Sequence, residues 1–332
     1  MNLLILEEGY RFHVQFHITS KCNLNCKHCY EGNVCNHTEW SFDEFVLAID
    51  KLWNCFEKWD VKGEISLIGG EPTVHPRFYD MVEYLSQRGD VHGISILTNG
   101  VNIDERFIEQ MKKNKCFVQV SIDGSTPEMH DYIRGKGNYE KTIHNVKKMS
   151  DAGIELSAHY VLSKNTIPLS KTFFQTLLDN GISQIAFSRL VPFGNASIDE
   201  MMSKEETKDT FSFINEMTST FKNKGLYVMT TRPLWCNFDY EGKCPVGFQT
   251  ITILENGDIL PCRRLPITLG NIKTDNFFKI WYTDKTLEDI RNRKNISKCG
   301  SCKHLDSCGG ARCIAYATTG NYMAEDPQCW II

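Results

Sequence analysis

The sequence predicts an α/β protein: a partial (β/α)6 barrel followed by a smaller, cysteine-rich C-terminal domain carrying a β-hairpin. Two observations set this class. From residue 11 to about 190, short β-rich apolar runs alternate with amphipathic helical stretches, the pattern of parallel strands returning through crossover helices. After residue 190 the alternation stops, and the last hundred residues are dense in cysteine and poor in regular patterning. At 332 residues the chain is long enough for about two domains.

Six strands are read at Arg11 to Ile18, Glu64 to Ile68, Gly93 to Leu97, Phe117 to Ile122, Ile154 to Leu162 and Ile182 to Leu190. Helices are expected at Ser41 to Trp59, Pro76 to Arg88, Asp104 to Asn114, Tyr139 to Ala152 and Ser170 to Asn180. Ser41, Asp104 and Ser170 are N-cap residues by type, because a short side-chain oxygen satisfies a free N–H of the first turn. Gly89, Gly153 and Gly181 stand where a left-handed residue ends a helix. Six βα repeats do not complete an eight-stranded barrel, so an open one is expected, with its chemistry at the C-terminal ends of the strands. A polar segment then leads into a helix at Lys204 to Lys224, and Asn256-Gly257 suits a two-residue hairpin turn between Gln249 to Leu254 and Asp258 to Cys262. The division is thus 1–192 for the barrel, 193–235 for a linker with a helix, and 236–332 for the C-terminal domain.

Composition narrows the function. Hydrophobic residues make up 41% and charged residues 23%, and 37 basic against 41 acidic residues give a net charge of −4 with no basic block, so no nucleic-acid partner is expected. Glu7 and Glu8 interrupt the start where a signal peptide needs an apolar run, and no stretch approaches a membrane span, which points to a cytoplasmic protein without a membrane partner. Fourteen cysteines are too many for an ordinary enzyme of a reducing compartment and too sparse for a disulfide scaffold. Metal explains them, since clustered thiolates are soft ligands for iron–sulfur clusters or zinc.

Cys22, Cys26 and Cys29 lie in Lys21-Cys-Asn-Leu-Asn-Cys-Lys-His-Cys-Tyr30, directly after the first strand. Three thiolates on one tight loop can hold three irons of a four-iron cluster and leave the fourth open to a cofactor or substrate. The alternative is a zinc knuckle completed by His28 or Cys35. The C-terminal part adds Cys236, Cys244, Cys262, Cys299, Cys302, Cys308, Cys313 and Cys329, which are eight thiols, enough for two clusters at four ligands each or for two zinc ribbons. Cys55 and Cys116 read as small core residues. Cys35 can line the active site as a hydrogen-atom donor or acceptor, or be an incidental loop thiol; Trp235 and His17 similarly read as substrate contacts or packed neighbours.

The Cys-x3-Cys-x2-Cys loop resembles the signature of radical S-adenosylmethionine (SAM) enzymes, and later segments continue the resemblance in order: Gly69-Gly70-Glu71-Pro72 after the second strand, Ser121 and Asp123 at the end of the fourth. The resemblance implies reductive cleavage of SAM to a 5′-deoxyadenosyl radical, with Cys22, Cys26 and Cys29 on the SAM-binding cluster. Gly69, Gly70 and Glu71 would hold the methionine amino group, and Ser121 and Asp123 would face the ribose or methionine end. Arg134 would pair with the carboxylate, and His28 would lie near the adenine. The C-terminal segment resembles the SPASM domain of such enzymes, with two auxiliary 4Fe–4S clusters. Carried over position by position, Cys236, Cys244, Cys262 and Cys313 would hold the first, and Cys299, Cys302, Cys308 and Cys329 the second. Four residues rather than three separate Cys308 from Cys313, a departure that bears on whether Cys313 reaches its cluster.

SPASM-bearing relatives mostly modify peptides or proteins. The resemblance therefore implies a precursor peptide as substrate, changed by a cross-link, thioether, epimerisation or oxidation, and an electron donor such as flavodoxin or ferredoxin. About ten residues precede the first strand, too few for a leader-binding domain. That leaves two further readings, an enzyme acting on a cofactor precursor and one maturing a protein side chain in the manner of sulfatase maturases. A carrier of several clusters, or a zinc-stabilised binding module without turnover, is the reading from a different class.

Overall fold

The computed structural model describes residues 10–32, 38–230, 232–240 and 242–331. The six expected strands form: β1 (Arg11–Thr19), β2 (Lys62–Gly69), β3 (Val91–Thr98), β4 (Phe117–Ser121), β5 (Leu156–Leu162) and β6 (Gln184–Arg189). Each pairs in parallel with the next. Helices α1 (Phe42–Trp59), α2 (Phe78–Gln87), α3 (Glu105–Lys113), α4 (Pro127–Arg134) with α5 (Asn138–Asp151), and α6 (Lys171–Asp179) carry the chain back between them. Then follow α7 (Lys204–Lys222), β7 (Tyr227–Met229), β8 (Thr250–Ile253), β9 (Asp258–Leu260), β10 (Gly270–Asn271), α8 (Phe277–Thr283), α9 (Lys285–Arg291) and α10 (Arg312–Thr319).

Alternation along the strands builds two different faces. On β1, Phe12, Val14, Phe16 and Ile18 are fully buried under the helices, where Phe12 meets Phe56 and Trp281, and Phe16 meets Trp40 and Phe45. Each such side chain contributes about 1.5–3 kcal/mol by leaving water. The intervening His13, Gln15 and His17 face the barrel lumen. Register places polar residues beside them, pairing Gln15 with Ser66, Ser66 with Ser95, Gln119 with Ser157 and Ser121 with His159. The lumen is therefore polar, tied by hydrogen bonds between His13 and Ser66 (2.7 Å) and between His159 and Ser188 (2.9 Å).

Helix ends follow the side chains. Ser41 forms a capping box with Glu44, Asp104 accepts from the Phe107 N–H, and Ser170 accepts from that of Phe173. Gly153 and Gly181 take positive φ, but Gly89 does not: α2 ends earlier, with Arg88 extended and its guanidinium paired to Asp90. Helix α4 escapes the sequence pattern because it is eight residues long with only His130, Ile133 and Arg134 buried.

Two features extend the sheet beyond the six repeats. The three-residue β7 pairs in parallel with β6, and β8 pairs in parallel with β1, so the hairpin continues the barrel sheet. The full order is β10-β9-β8-β1-β2-β3-β4-β5-β6-β7. The hairpin turn differs from the two-residue expectation. Only Gly257 has positive φ; the Gly257 N–H donates to the Leu254 carbonyl, and Asn256 Oδ1 accepts from the Asp258 N–H. The loop is therefore Glu255-Asn256-Gly257, because the Asn side chain serves as a turn acceptor instead of its backbone turning left-handed. On the far side of the barrel, Arg189 at the end of β6 binds Asp326 through both carboxylate oxygens (2.8 and 2.6 Å). The C-terminal region thus grips the barrel next to β1 and again next to β6. No described helix is long and apolar enough to cross a membrane.

Candidate active site and cluster ligands

A cavity of about 370 Å³ opens at the C-terminal ends of the barrel strands. Cys22, Cys26, His28 and Cys29 from the loop after β1 line it, with Gly69, Gly70 and Glu71 after β2, Ser121 on β4, and Arg134 at the end of α4. All three thiols are free.

Backbone contacts hold this loop in place. The Gly70 N–H donates to the Thr19 carbonyl and the Glu71 N–H to that of Lys21 (2.9 and 2.8 Å). A Cβ on Gly69 would lie 2.1 Å from the Thr19 oxygen, and one on Gly70 2.3 Å from the Lys21 oxygen. Only glycine lets the end of β2 approach the start of the cysteine loop so closely. From the opposite side the chain after β6 clamps the same loop: Asn195 donates from its backbone to the Cys29 carbonyl (2.8 Å) and from its side chain to that of Cys26 (3.1 Å). Sequence reasoning missed Gly194 and Asn195; Gly-Asn in a polar segment looks like any turn.

Glu71 is buried and accepts four hydrogen bonds, from Thr73 twice, from Thr98 and from the Asn99 N–H, while burial pushes its carboxyl up. Asp123 is fully buried and does not line the cavity. Its Oδ2 binds His28 Nε2 and Arg134 Nε, both at 2.7 Å, and its Oδ1 accepts from the Val161 N–H. Burial pushes the Asp123 carboxyl up, but Arg134 and His28 outweigh it and hold the group well below the usual carboxylate range. Asp123 therefore positions His28 and Arg134, and the remaining Arg134 Nη1 lies 3.9 Å from Cys26 Sγ. Ser121 lines the cavity directly.

The donor set fits the cluster that the sequence implies. Burial pushes the Cys22 thiol up to about 12 and raises those of Cys26 and Cys29, so iron must supply the stabilisation that makes them thiolates. Among the described residues no three such groups converge tightly enough to hold a single ion. A four-iron cluster, whose corners stand apart, asks for no such convergence.

The eight C-terminal thiols divide differently from the expected four and four. Cys236, Cys299, Cys302, Cys308 and Cys329 border one small cavity. Cys308 Sγ accepts from the Leu234 and Gly310 N–H groups (3.3 and 3.4 Å), and the neighbouring Cys236 thiol joins it, lowering Cys308. Cys244, Cys262 and Cys313 form the other set, packed on Val246, Leu265 and Ile290 beside Arg264. Cys236 is thus placed with the second set and not with Cys244. Cys313 stands with Cys244 and Cys262, and Gly309 and Gly310, both at positive φ, turn the chain between the two sets. Cys55 and Cys116 are buried core residues, Trp235 packs on Phe211 and Phe238, and His17 contacts Glu31 at 3.1 Å. Cys35 lies outside the described residues.

Comparison with known proteins agrees with this architecture. Residues 16–167 match the Radical SAM superfamily, and residues 244–304 match SPASM, an iron-sulfur cluster-binding domain. The chain is 25% identical over 341 residues to the AdoMet-dependent heme synthase of Methanosarcina barkeri, covering 95% of each chain. It is 27% identical over 342 residues to the mycofactocin maturase MftC of Mycobacterium ulcerans, covering 94% of this chain and 86% of that one. Its fold superposes on anSMEcpe with bound AdoMet and Cp18Cys peptide with a TM-score of 0.78 at 18% identity, covering 96% of this chain and 94% of that one. With 4Fe–4S clusters implied by both matches, the chain carries a radical SAM domain followed by a SPASM domain.

Proposed function

We propose that this enzyme modifies a precursor peptide by abstracting hydrogen from one of its carbons within the barrel lumen. One observation carries the reading: a single cavity is lined by the three-cysteine loop on one wall and by Arg263 and Arg264, next to the Cys244–Cys262–Cys313 set, on another. When bound, the first cluster and SAM supply a 5′-deoxyadenosyl radical. Cys22, Cys26 and Cys29 hold that cluster. The glycine backbone at residues 69–70 receives the methionine amino group, and His28, Ser121 and Arg134 border the rest of the cofactor, with Asp123 fixing two of them. The two C-terminal thiol sets would hold auxiliary clusters, which would supply an electron acceptor or a substrate-binding iron, and a flavodoxin or ferredoxin would supply the reducing electron in the cytoplasm.

MftC, a maturase by name, and the peptide-bound anSMEcpe support a peptide substrate. The heme synthase, matched over 95% of both chains, favours a second reading, a cofactor precursor. The test is anaerobic reconstitution followed by SAM and reductant, with the peptides encoded beside this gene as substrates. The peptide reading predicts 5′-deoxyadenosine together with a mass change in one peptide. 5′-Deoxyadenosine with no peptide changed overturns it.

A further inference from the structure

One guanidinium on the cavity wall has its hydrogen-bonding fork unfilled among the described residues. Four arginines line the cavity: Arg134, Arg189, Arg263 and Arg264. Two are committed internally, Arg134 to Asp123 and Arg189 to Asp326, each through two nitrogens. Arg264 stands beside the Cys244, Cys262 and Cys313 thiols, which account for its charge, although its buried Nε has no partner among the described residues. Arg263 remains. Its guanidinium lies over the Tyr30 ring at 5.8 Å from the centroid and makes no hydrogen bond or ion pair with any described residue.

Two carboxylates also line the cavity, those of Glu31 and Glu71. Glu31 contacts His17 and its charge faces that of Arg263 with no ion pair between them, and Glu71 accepts hydrogen bonds from Thr73, Thr98 and the Asn99 N–H. The charge of Arg263, reinforced by Arg232, reaches across the lumen to His13 and His159, which burial already holds in the neutral form. SAM does not balance it, since its sulfonium and ammonium outnumber its one carboxylate. A partly buried guanidinium with an unfilled planar fork is most strongly satisfied by a carboxylate, which it binds through two parallel hydrogen bonds.

Resting on the lumen as the substrate site, we infer that Arg263 is a specificity-determining residue that anchors a carboxylate of the substrate. Two sources share this chemistry: a peptide carboxylate and a small-molecule polycarboxylate. An anchor of this kind fixes which carbon faces the radical, because it holds one end of the substrate while the rest extends toward the cysteine loop.

The test uses anaerobically reconstituted, SAM-loaded enzyme and two probe pairs. The first is a fluorescein-labelled Gly-Ala-Ser-Leu-Phe peptide with a free C-terminal carboxylate, against its C-terminal amide. The second is coproporphyrin III against its tetramethyl ester. Binding is read by anisotropy and by fluorescence quenching. In at least one pair the acid binds tenfold or more tightly than its neutral partner; Arg263→Gln abolishes the difference and Arg263→Lys restores part of it. The pair that shows the preference identifies the source. Equal binding of acid and neutral forms in both pairs, no binding of either acid, or a preference that survives Arg263→Gln overturns the inference. So does a loss of SAM affinity in Arg263→Gln as large as the loss for the acid, which would assign the residue to the cofactor. Wild-type 5′-deoxyadenosine formation with SAM and reductant alone is measured in parallel, so a failure of radical generation is distinguishable from a failure of the carboxylate anchor.

Discussion

The two thiol-bearing regions of this molecule are organised on opposite principles. At the amino end, three cysteines share one loop of eight residues, Cys22 to Cys29, and the fold has only to hold that loop at the barrel mouth. At the carboxyl end, eight cysteines come from separate segments, and which thiols stand together is decided by long-range packing. Spacing alone therefore names the members of the first set but not the partition of the second. Cys236 shows the difference. It lies eight positions before Cys244 in sequence, yet the short helical turn at Trp235–Phe238 delivers it to Cys308.

Several experiments break or sharpen this contrast. The largest effect is expected at the amino end: Cys26→Ser should lower SAM cleavage by at least about a thousandfold. Iron should fall by about four of twelve atoms per chain, the auxiliary clusters remaining. Retained cleavage would dissolve the distinction. Asp123→Asn should come next, since it leaves Arg134 buried without its charge partner, and breaking such a pair costs about 3–5 kcal/mol. Chemical denaturation measures this, and a change under 1 kcal/mol would mean that Arg134 finds another partner.

The carboxyl end is tested by comparing two alanine variants. Cys313→Ala should remove about four irons, because its set has three thiols, whereas Cys236→Ala should remove fewer, because four thiols remain around its cavity. Equal losses would restore a four-and-four partition. Gly194→Ala has a smaller expected effect. Its Cβ would press to 2.4 Å on the Cys29 carbonyl, so SAM cleavage should drop by roughly tenfold through displacement of the loop. The smallest effect concerns the lumen that lies between the two regions. Burial lowers His13 from the ordinary 6.5 to about 4, so the unfolded chain binds a proton there before the folded one does. Stability should therefore fall as pH drops from about 6.5 toward 4, and His13→Gln should flatten the slope of the urea midpoint against pH in that window.

Much of the barrel was legible because its signals are local. Apolar alternation located β1 to β6, and Ser41, Asp104 and Ser170 marked the helix starts where their oxygens cap. The candidate site was legible where residues follow strand ends, as in the cysteine loop and Gly69 to Glu71. What was not legible depends on distant partners. Three residues at Tyr227–Met229 become a strand only because β6 offers an edge, and β8 joins β1 from more than two hundred positions away. Asp123 looks like a ligand in sequence; only the fold shows its carboxylate enclosed by His28, Arg134 and the Val161 N–H.

On the proposed function, the cysteine loop would hold a four-iron cluster with one iron open to SAM. Electron paramagnetic resonance of the dithionite-reduced, reconstituted enzyme with and without SAM tests it most directly. SAM should shift the g values of one cluster in the wild type and of none in Cys26→Ser. Identical spectra with and without SAM in the wild type, or the same shift in the variant, would contradict it.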